Sequence, residues 1–403
     1  MTRNSWLAFT ALLIFTMGTS IITPLLTLYA ERFDLGNGEL TLLFATYSAA
    51  VVPTMLVMGN LSDRIGRKRV MLPAMAALSA ASLTFALADS VGLLFLGRVL
   101  QGLAIGGFLG VGTAFVVDHA RPDKRAWAAN LAGCGFRVGF GLGPGLAGVL
   151  AEYSANPLHR PFEGHLALMA VAVTAILITP ETIRRRRPFR IQVRVGVPPD
   201  QRAGFVTFLA PAAFMLSFLD ATLLSVVPLY IVRTLGVSNL AVVGLVGFLI
   251  LAMGGVAPFV VGRMDPRRAV IVGVAASSLA SLLVVAASGA GTVALVLVAA
   301  TVIGLTNGLI LQGATAICGI SVPITERGKL ISALYMCCYA GTLPTVGLGY
   351  LSAAIGLTET LAVFSAAAIC LAGFVILVGA RHYRRVIPYV EPSVPAPVEE
   401  VAA

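Results

Sequence analysis

Gly59-Asn60-Leu61-Ser62-Asp63-Arg64-Ile65-Gly66-Arg67-Lys68-Arg69 is a charged, glycine-punctuated stretch set between two apolar segments, each long enough to cross a membrane. Gly59 suits a place where two helices approach closely, and Gly66 suits a sharp turn of the chain. Asp63 puts a carboxylate at a membrane surface, where it can sit against the positive end of a neighbouring helix. The flanking segments belong to a series: apolar residues make up 58% of the chain and charged ones 11%, with the apolar ones gathered in blocks of about 20. In hydrocarbon every backbone amide must be satisfied internally, so the blocks are expected to be spanning helices and the protein an all-α membrane protein. Twelve spans are expected, at residues 6–30, 39–59, 70–88, 91–117, 126–151, 164–180, 204–235, 239–261, 269–288, 291–321, 328–354 and 358–380. The first follows only Arg3, outruns the apolar core of a signal peptide and has no small-residue cleavage site behind it. It is expected to be retained.

Basic residues collect in alternate connections. One side holds Arg3, the Arg64–Arg69 cluster, Arg121, Lys124 and Arg125, the run Arg184-Arg185-Arg186-Arg187, and further arginines near 263–268, 327 and 381–385. Most of the 28 lysines and arginines lie there, against Arg32, Arg160 and Arg233 on the other side. Such asymmetry predicts a multi-pass protein with both termini cytosolic. It also accounts for the net charge of +10 without nucleic acid. The cysteines (Cys134, Cys318, Cys337, Cys338, Cys370) fall inside spans without metal-ligand spacing, so no metal site, disulfide or cofactor is expected. There is no G-x-x-x-x-G-K-[ST] for an ATP-driven pump and no paired nucleophile and base for an enzyme. Gly143-x-Gly145-x-x-Gly148 matches a dinucleotide pattern, but it lies inside a span with no strand before it.

The connection from Glu181 to Ala203 divides the spans six and six. This predicts an N-terminal half (1–180), a cytosolic linker (181–203), a C-terminal half (204–380) and a disordered, Pro- and Glu-bearing cytosolic tail (381–403). Phe15 to Pro24-Leu25 looks like Phe218 to Pro228-Leu229, and Pro122-Asp123-Lys124-Arg125 looks like Pro323 to Arg327. Duplication explains this, as does coincidence of apolar composition.

The opening stretch resembles the G-x-x-x-D-R-x-G-R-[KR] signature between the second and third helices of the major facilitator superfamily of secondary transporters. The resemblance implies the major facilitator fold, two pseudo-symmetric six-helix halves, and a carrier working by alternating access. It also implies that Asp63 caps the start of the eleventh span and that Arg67 pairs with an acid at the inner end of span four, here Asp118. Gly59, Asp63, Arg64, Gly66, Arg67, Asp118 and Arg125 would then form a latch on the cytosolic side; alternatively the basic residues only set topology. The second-half counterpart, Gly262-Arg263-Met264-Asp265-Pro266-Arg267-Arg268, is one residue shorter between glycine and aspartate and lacks the second glycine.

Two further resemblances follow. Leu94 to Gly102 matches the family pattern l-x-x-x-R-x-x-q-G through Arg98 and Gln101, which implies a part in proton coupling; the alternative is an arginine that snorkels to the surface. Gly139 to Gly148, with Gly143 and Pro144, is similar to g-x-x-x-G-P-x-x-G-G with Ala147 in place of one glycine, a pattern of proton-exchanging exporters. Small residues there would groove the helix, and Pro144 would permit a bend.

Asp220 and Arg137 lie near the middle of spans seven and five, outside these patterns. Asp220 is placed to bind and release a proton or attract a cation, and Arg137 to neutralise it or bind an anion; an ion pair without a carrier role is the alternative. By resemblance, spans one, four, seven and ten line the path, offering Thr16, Thr19, Ser20, Thr23, Asn307 and Gln312. So few charges suit a lipophilic ligand. The expected function is proton-coupled efflux of a lipophilic or drug-like small molecule. The alternative is a facilitator or proton symporter importing a small nutrient, and a third is a non-transporting receptor or scaffold. Its partners would be that molecule, protons and the lipid bilayer of a bacterial inner (cell) membrane, with the protein a monomer. The outer stretch 152–165 has no assigned role.

Overall fold

Apolar blocks that must satisfy their own amides coil into helices, and the computed structural model shows this over its described residues, 1–183, 195–261 and 264–383. Among them twelve helical spans are long and apolar enough to cross a membrane: Arg3–Phe33, Asn37–Met58, Lys68–Ala86, Val91–Asp118, Pro122–Tyr153, Arg160–Ile178, Pro199–Arg233, Leu240–Phe259, Pro266–Ala290, Ala294–Ile320, Ile324–Ile355 and Leu357–Arg381. They are called spans one to twelve. An even number leaves the outer ends of the first and last spans on one face, here the terminal face; the other is the distal face. The arginines of the linker from Arg184 to Arg194, then Gly262 and Arg263, and the tail from residue 384 lie outside the described residues.

Three stretches differ from the sequence reading. The opening stretch is mostly helix: span two's helix continues to Ile65, because its charged last turns lie past the apolar core, and Gly66 alone (φ +112°) turns the chain before span three starts at Lys68. The outer stretch 152–165 is short, since span five runs to Tyr153 and span six starts at Arg160 with Pro161 in its first turn. His165 is therefore buried in the bundle, its Nδ1 2.8 Å from Ser82 Oγ. It lies against the bare backbone of Gly18, where a Cβ would be 2.9 Å from His165 Cδ2. The expected tail begins ordered, as the Tyr383 ring packs 5.5 Å from Phe208.

Spans one and seven are broken. Span one is helical over Arg3–Gly18, turns, and resumes through Thr23–Leu25 to Leu26–Phe33; span seven breaks between Ser225 and Val227. Pro24 and Pro228 lie just past the breaks and lack the amide that would continue the ladder. Tyr29 of span one donates to the Phe85 carbonyl at the end of span three (2.9 Å), and Tyr230 of span seven donates to Val284 near the end of span nine (3.1 Å). The same kind of hydrogen bond thus recurs in both halves.

Near the distal face the halves are joined by polar contacts. Asn37 Nδ2 donates to Ser352 Oγ (2.9 Å), Arg233 Nη1 donates to Asn37 Oδ1 (2.8 Å), and the Leu240 amide donates to Glu152 Oε2 (2.8 Å).

Candidate functional site

At the terminal face Arg67 is the centre of a cluster within the first half. It pairs with Asp63 (2.5 Å) and with Asp118 (3.3 Å), and donates to Ser62 Oγ (2.8 Å). Asp63 is 61% exposed and bonds nothing at the start of span eleven, whose N-cap, Pro323, has no side-chain partner. Arg125 is exposed and enters no ion pair with a described residue. Gly59 lies in the last turns of span two. Thus Asp63, Arg67 and Asp118 come together, while the contact across the halves is not made in this conformation.

Glu181, which sequence reading passed over, completes the cluster. Its carboxylate accepts from the amides of Arg67 (3.1 Å), Lys68 (3.0 Å), Thr182 (2.8 Å) and Ile183 (3.2 Å), so the residue just past span six caps the start of span three. Burial alone would raise its pKa, but the four amides outweigh it and hold the carboxyl below its usual value. A side chain at Gly66 would meet this carboxylate, with a Cβ 2.7 Å from Glu181 Oε2. Lys68 Nζ reciprocates by donating to the Leu177 and Thr179 carbonyls, both at 2.8 Å. The available signal was an acid just after a span, in Pro180-Glu181-Thr182.

Arg98 turns inward and is 1% exposed. Nε donates to the Leu43 carbonyl (3.1 Å) and Nη1 to Gln101 Oε1 (3.1 Å); Gln101 in turn donates to the Gly18 carbonyl (3.1 Å) at the break in span one. The guanidinium carbon lies 5.0 Å from the Phe44 ring centre and 5.4 Å from that of Tyr47. Its charge is met by neutral acceptors and ring faces, with no carboxylate in ion-pair range among the described residues.

Span five is pressed between span one and span eight. A Cβ at Gly139 would lie 2.6 Å from the Leu13 carbonyl oxygen, and one at Gly143 would lie 2.6 Å from Ser20 Oγ. On the other side, a Cβ at Gly148 would be 2.9 Å from Gly244 Cα, and one at Gly247 would be 2.7 Å from Pro144 Cβ. The glycine pattern therefore serves two neighbours, and its contact with span eight is a junction between the halves.

Between the halves is a cavity of about 440 Å³. Its walls include Met55, Thr113, Thr315 and Ser332 from the terminal-side parts of their spans, and Gly110 and Gly133 there are exposed. The cavity thus reaches from mid-bundle toward the terminal face. Thr19, Ser20, Thr23, Arg98, Asp220 and Gln312 line it, and so does Arg137 of span five. Thr16 does not, because its hydroxyl turns back to the Leu12 and Leu13 carbonyls (3.0 Å each). Asn307 and Gln101 stand behind the wall: Asn307 Nδ2 donates to Asp220 Oδ1 (2.6 Å), making it the carboxylate's holder, not part of the lining. Phe44, Tyr47, Phe136, Phe140, Tyr335 and Tyr339 add aromatic surface that sequence reading missed. On an apolar helix such residues look like core.

The family model of the Major Facilitator Superfamily matches residues 8–346. The chain belongs to that superfamily. It is a transporter, not an enzyme. Among solved major facilitator structures, the peptide transporter POT in complex with sulfate is similar at 13% identity with a TM-score of 0.79, covering 96% of both chains. The nucleoside transporter NupG, as a mutant, is similar at 13% identity and a TM-score of 0.73, over 95% of this chain and all of that one. At such identity the likeness carries the fold alone. Among curated relatives, the Quinolone resistance protein NorA of Staphylococcus aureus (strain MRSA252) is 28% identical over 173 residues, which is 43% of this chain and 44% of the relative. Multidrug resistance protein 2 of Bacillus subtilis (strain 168) is 26% identical over 169 residues, 41% of each chain. Each match thus spans less than half of the relative's length.

Proposed function

We propose that this transporter exports a lipophilic or drug-like small molecule in exchange for protons, by alternating access, from the cell membrane with both termini cytosolic. The observation that carries the reading is Asp220, a carboxylate on the cavity wall near the middle of broken span seven, held by Asn307 and otherwise open to the cavity. An acid so placed is costly in a membrane protein unless it works, and a proton or a cationic ligand can each neutralise it. Competition for that carboxylate would couple the two flows. The partial similarity to two resistance proteins favours export over import. With the terminal face cytosolic, the conformation seen is inward-facing, ready to load from the cytosol or the inner leaflet.

In everted vesicles carrying an acid-inside pH gradient, addition of a lipophilic cation such as tetraphenylphosphonium is expected to dissipate the gradient in wild type and not in Asp220→Asn. Equal dissipation in both, with equal protein in the membrane, would remove Asp220 from the coupling. A gradient untouched in either by a panel of lipophilic compounds, but dissipated by a small nutrient, would favour import.

A further inference from the structure

Arg137 and Asp220 face one cavity, and neither has a partner of opposite charge within ion-pair range. Arg137 makes no hydrogen bond with a described residue; its guanidinium lies over Gly254 of span eight, where a Cβ would be 2.6 Å from Nη1. Asp220, on span seven, keeps only the Asn307 amide. The two charges are close enough to act on each other electrostatically, yet they stand apart. The third charge on the wall, Arg98, is held through Nε and Nη1 by a carbonyl and an amide and lies against two ring faces, while its buried Nη2 has no hydrogen-bond partner among the described residues. Each remaining charge pays desolvation in a medium where a lone ion is unfavourable. The same cavity wall carries aromatic rings, Phe136 and Phe140 on span five and Tyr335 and Tyr339 on span eleven. A simple lipophilic cation would satisfy Asp220 and leave Arg137 unpaired. A molecule carrying both charges on a flat body would satisfy both.

We propose that the cavity binds aromatic zwitterions, with the ligand's carboxylate against Arg137, its cationic nitrogen against Asp220 and its ring system between the tyrosines and phenylalanines. This rests on the reading of the same cavity as the transport site, and it narrows the substrate class.

The test uses two dyes of one skeleton: a free-acid rhodamine, which is zwitterionic, and its methyl ester, which is a cation. Binding of each to purified, full-length protein is followed by fluorescence polarisation. Wild type is expected to bind the free acid about tenfold or more tightly, the value of hydrogen bonds between charged groups. Arg137→Gln should collapse that ratio toward unity and Arg137→Lys should restore much of it. A free acid that binds no better than the ester to wild type, or a ratio unchanged in Arg137→Gln, overturns the proposal; the wild-type ratio decides even if the glutamine variant does not fold. Proton-driven flux of the ester in proteoliposomes reports separately on export. Flux without a preference for the free acid removes the zwitterion site and leaves export standing. Preference without flux removes export and leaves the site.

Discussion

At the residue scale the buried charges tell the most, and they were the most legible in sequence. Asp220, Arg137 and Arg98 stand out because an ionisable side chain inside an apolar run is expensive. Their partners were not legible. Asn307 is an ordinary polar residue in span ten until the fold brings it to Asp220, and Glu181 looks like a linker charge until its carboxylate meets the first amides of span three. Replacing Asn307 with Leu removes the donor from Asp220, and we expect transport to fall about tenfold, the value of a hydrogen bond to a charged group, with the protein still folded; initial rates in proteoliposomes measure this. Glu181→Gln should lower stability by about 0.5–2 kcal/mol at neutral pH, as a weakened helix cap does, read from thermal melting in detergent. The pH dependence has a definite sign. Because the folded carboxyl titrates below its usual value, its contribution is fully present above the ordinary glutamate pKa of about 4.3 and is lost as pH falls through the lower folded value. Wild type and Glu181→Gln should therefore converge in melting temperature at acid pH; a gap unchanged from pH 7 to below pH 4 would contradict this.

At the element scale the count and order of the spans were plain from apolar block length, and the breaks in spans one and seven fall beside Pro24 and Pro228. The helical end of span two was hidden, because charges and glycines read as a loop when they only mark the exit from hydrocarbon. The double use of span five's glycines was hidden too: a small-residue pattern says that a neighbour comes close, not that two do, on opposite sides. A side chain at Gly148 would strike backbone at Gly244, which cannot move aside without parting the halves. Gly148→Val should disfavour the conformation seen by about 1–3 kcal/mol, the usual range for overpacking. In a Ser352→Cys background, labelling from the distal side by a membrane-impermeant maleimide should then rise roughly fivefold or more. Labelling at the unaltered rate would show that the contact does not set the distal closure.

At the scale of the whole molecule, the two halves meet through polar contacts near the distal face and part around a cavity that runs to the terminal face. The first-half cluster of Asp63, Arg67 and Asp118 is assembled but does not cross to span eleven. Breaking the distal contacts with Asn37→Ala and Arg233→Ala together should shift the equilibrium toward a distal-open form by about 1–3 kcal/mol, seen as a longer spin-label distance across that face. The central claim is that ligand and proton compete for Asp220. The most direct measurement is proton release on binding, from titration calorimetry of purified protein with tetraphenylphosphonium in buffers of different ionisation enthalpy, at a pH where the ligand-free carboxyl is protonated. The account predicts release of about one proton per bound ligand from wild type and none from Asp220→Asn. Equal release from both, or none from wild type at any pH where it binds, would contradict it.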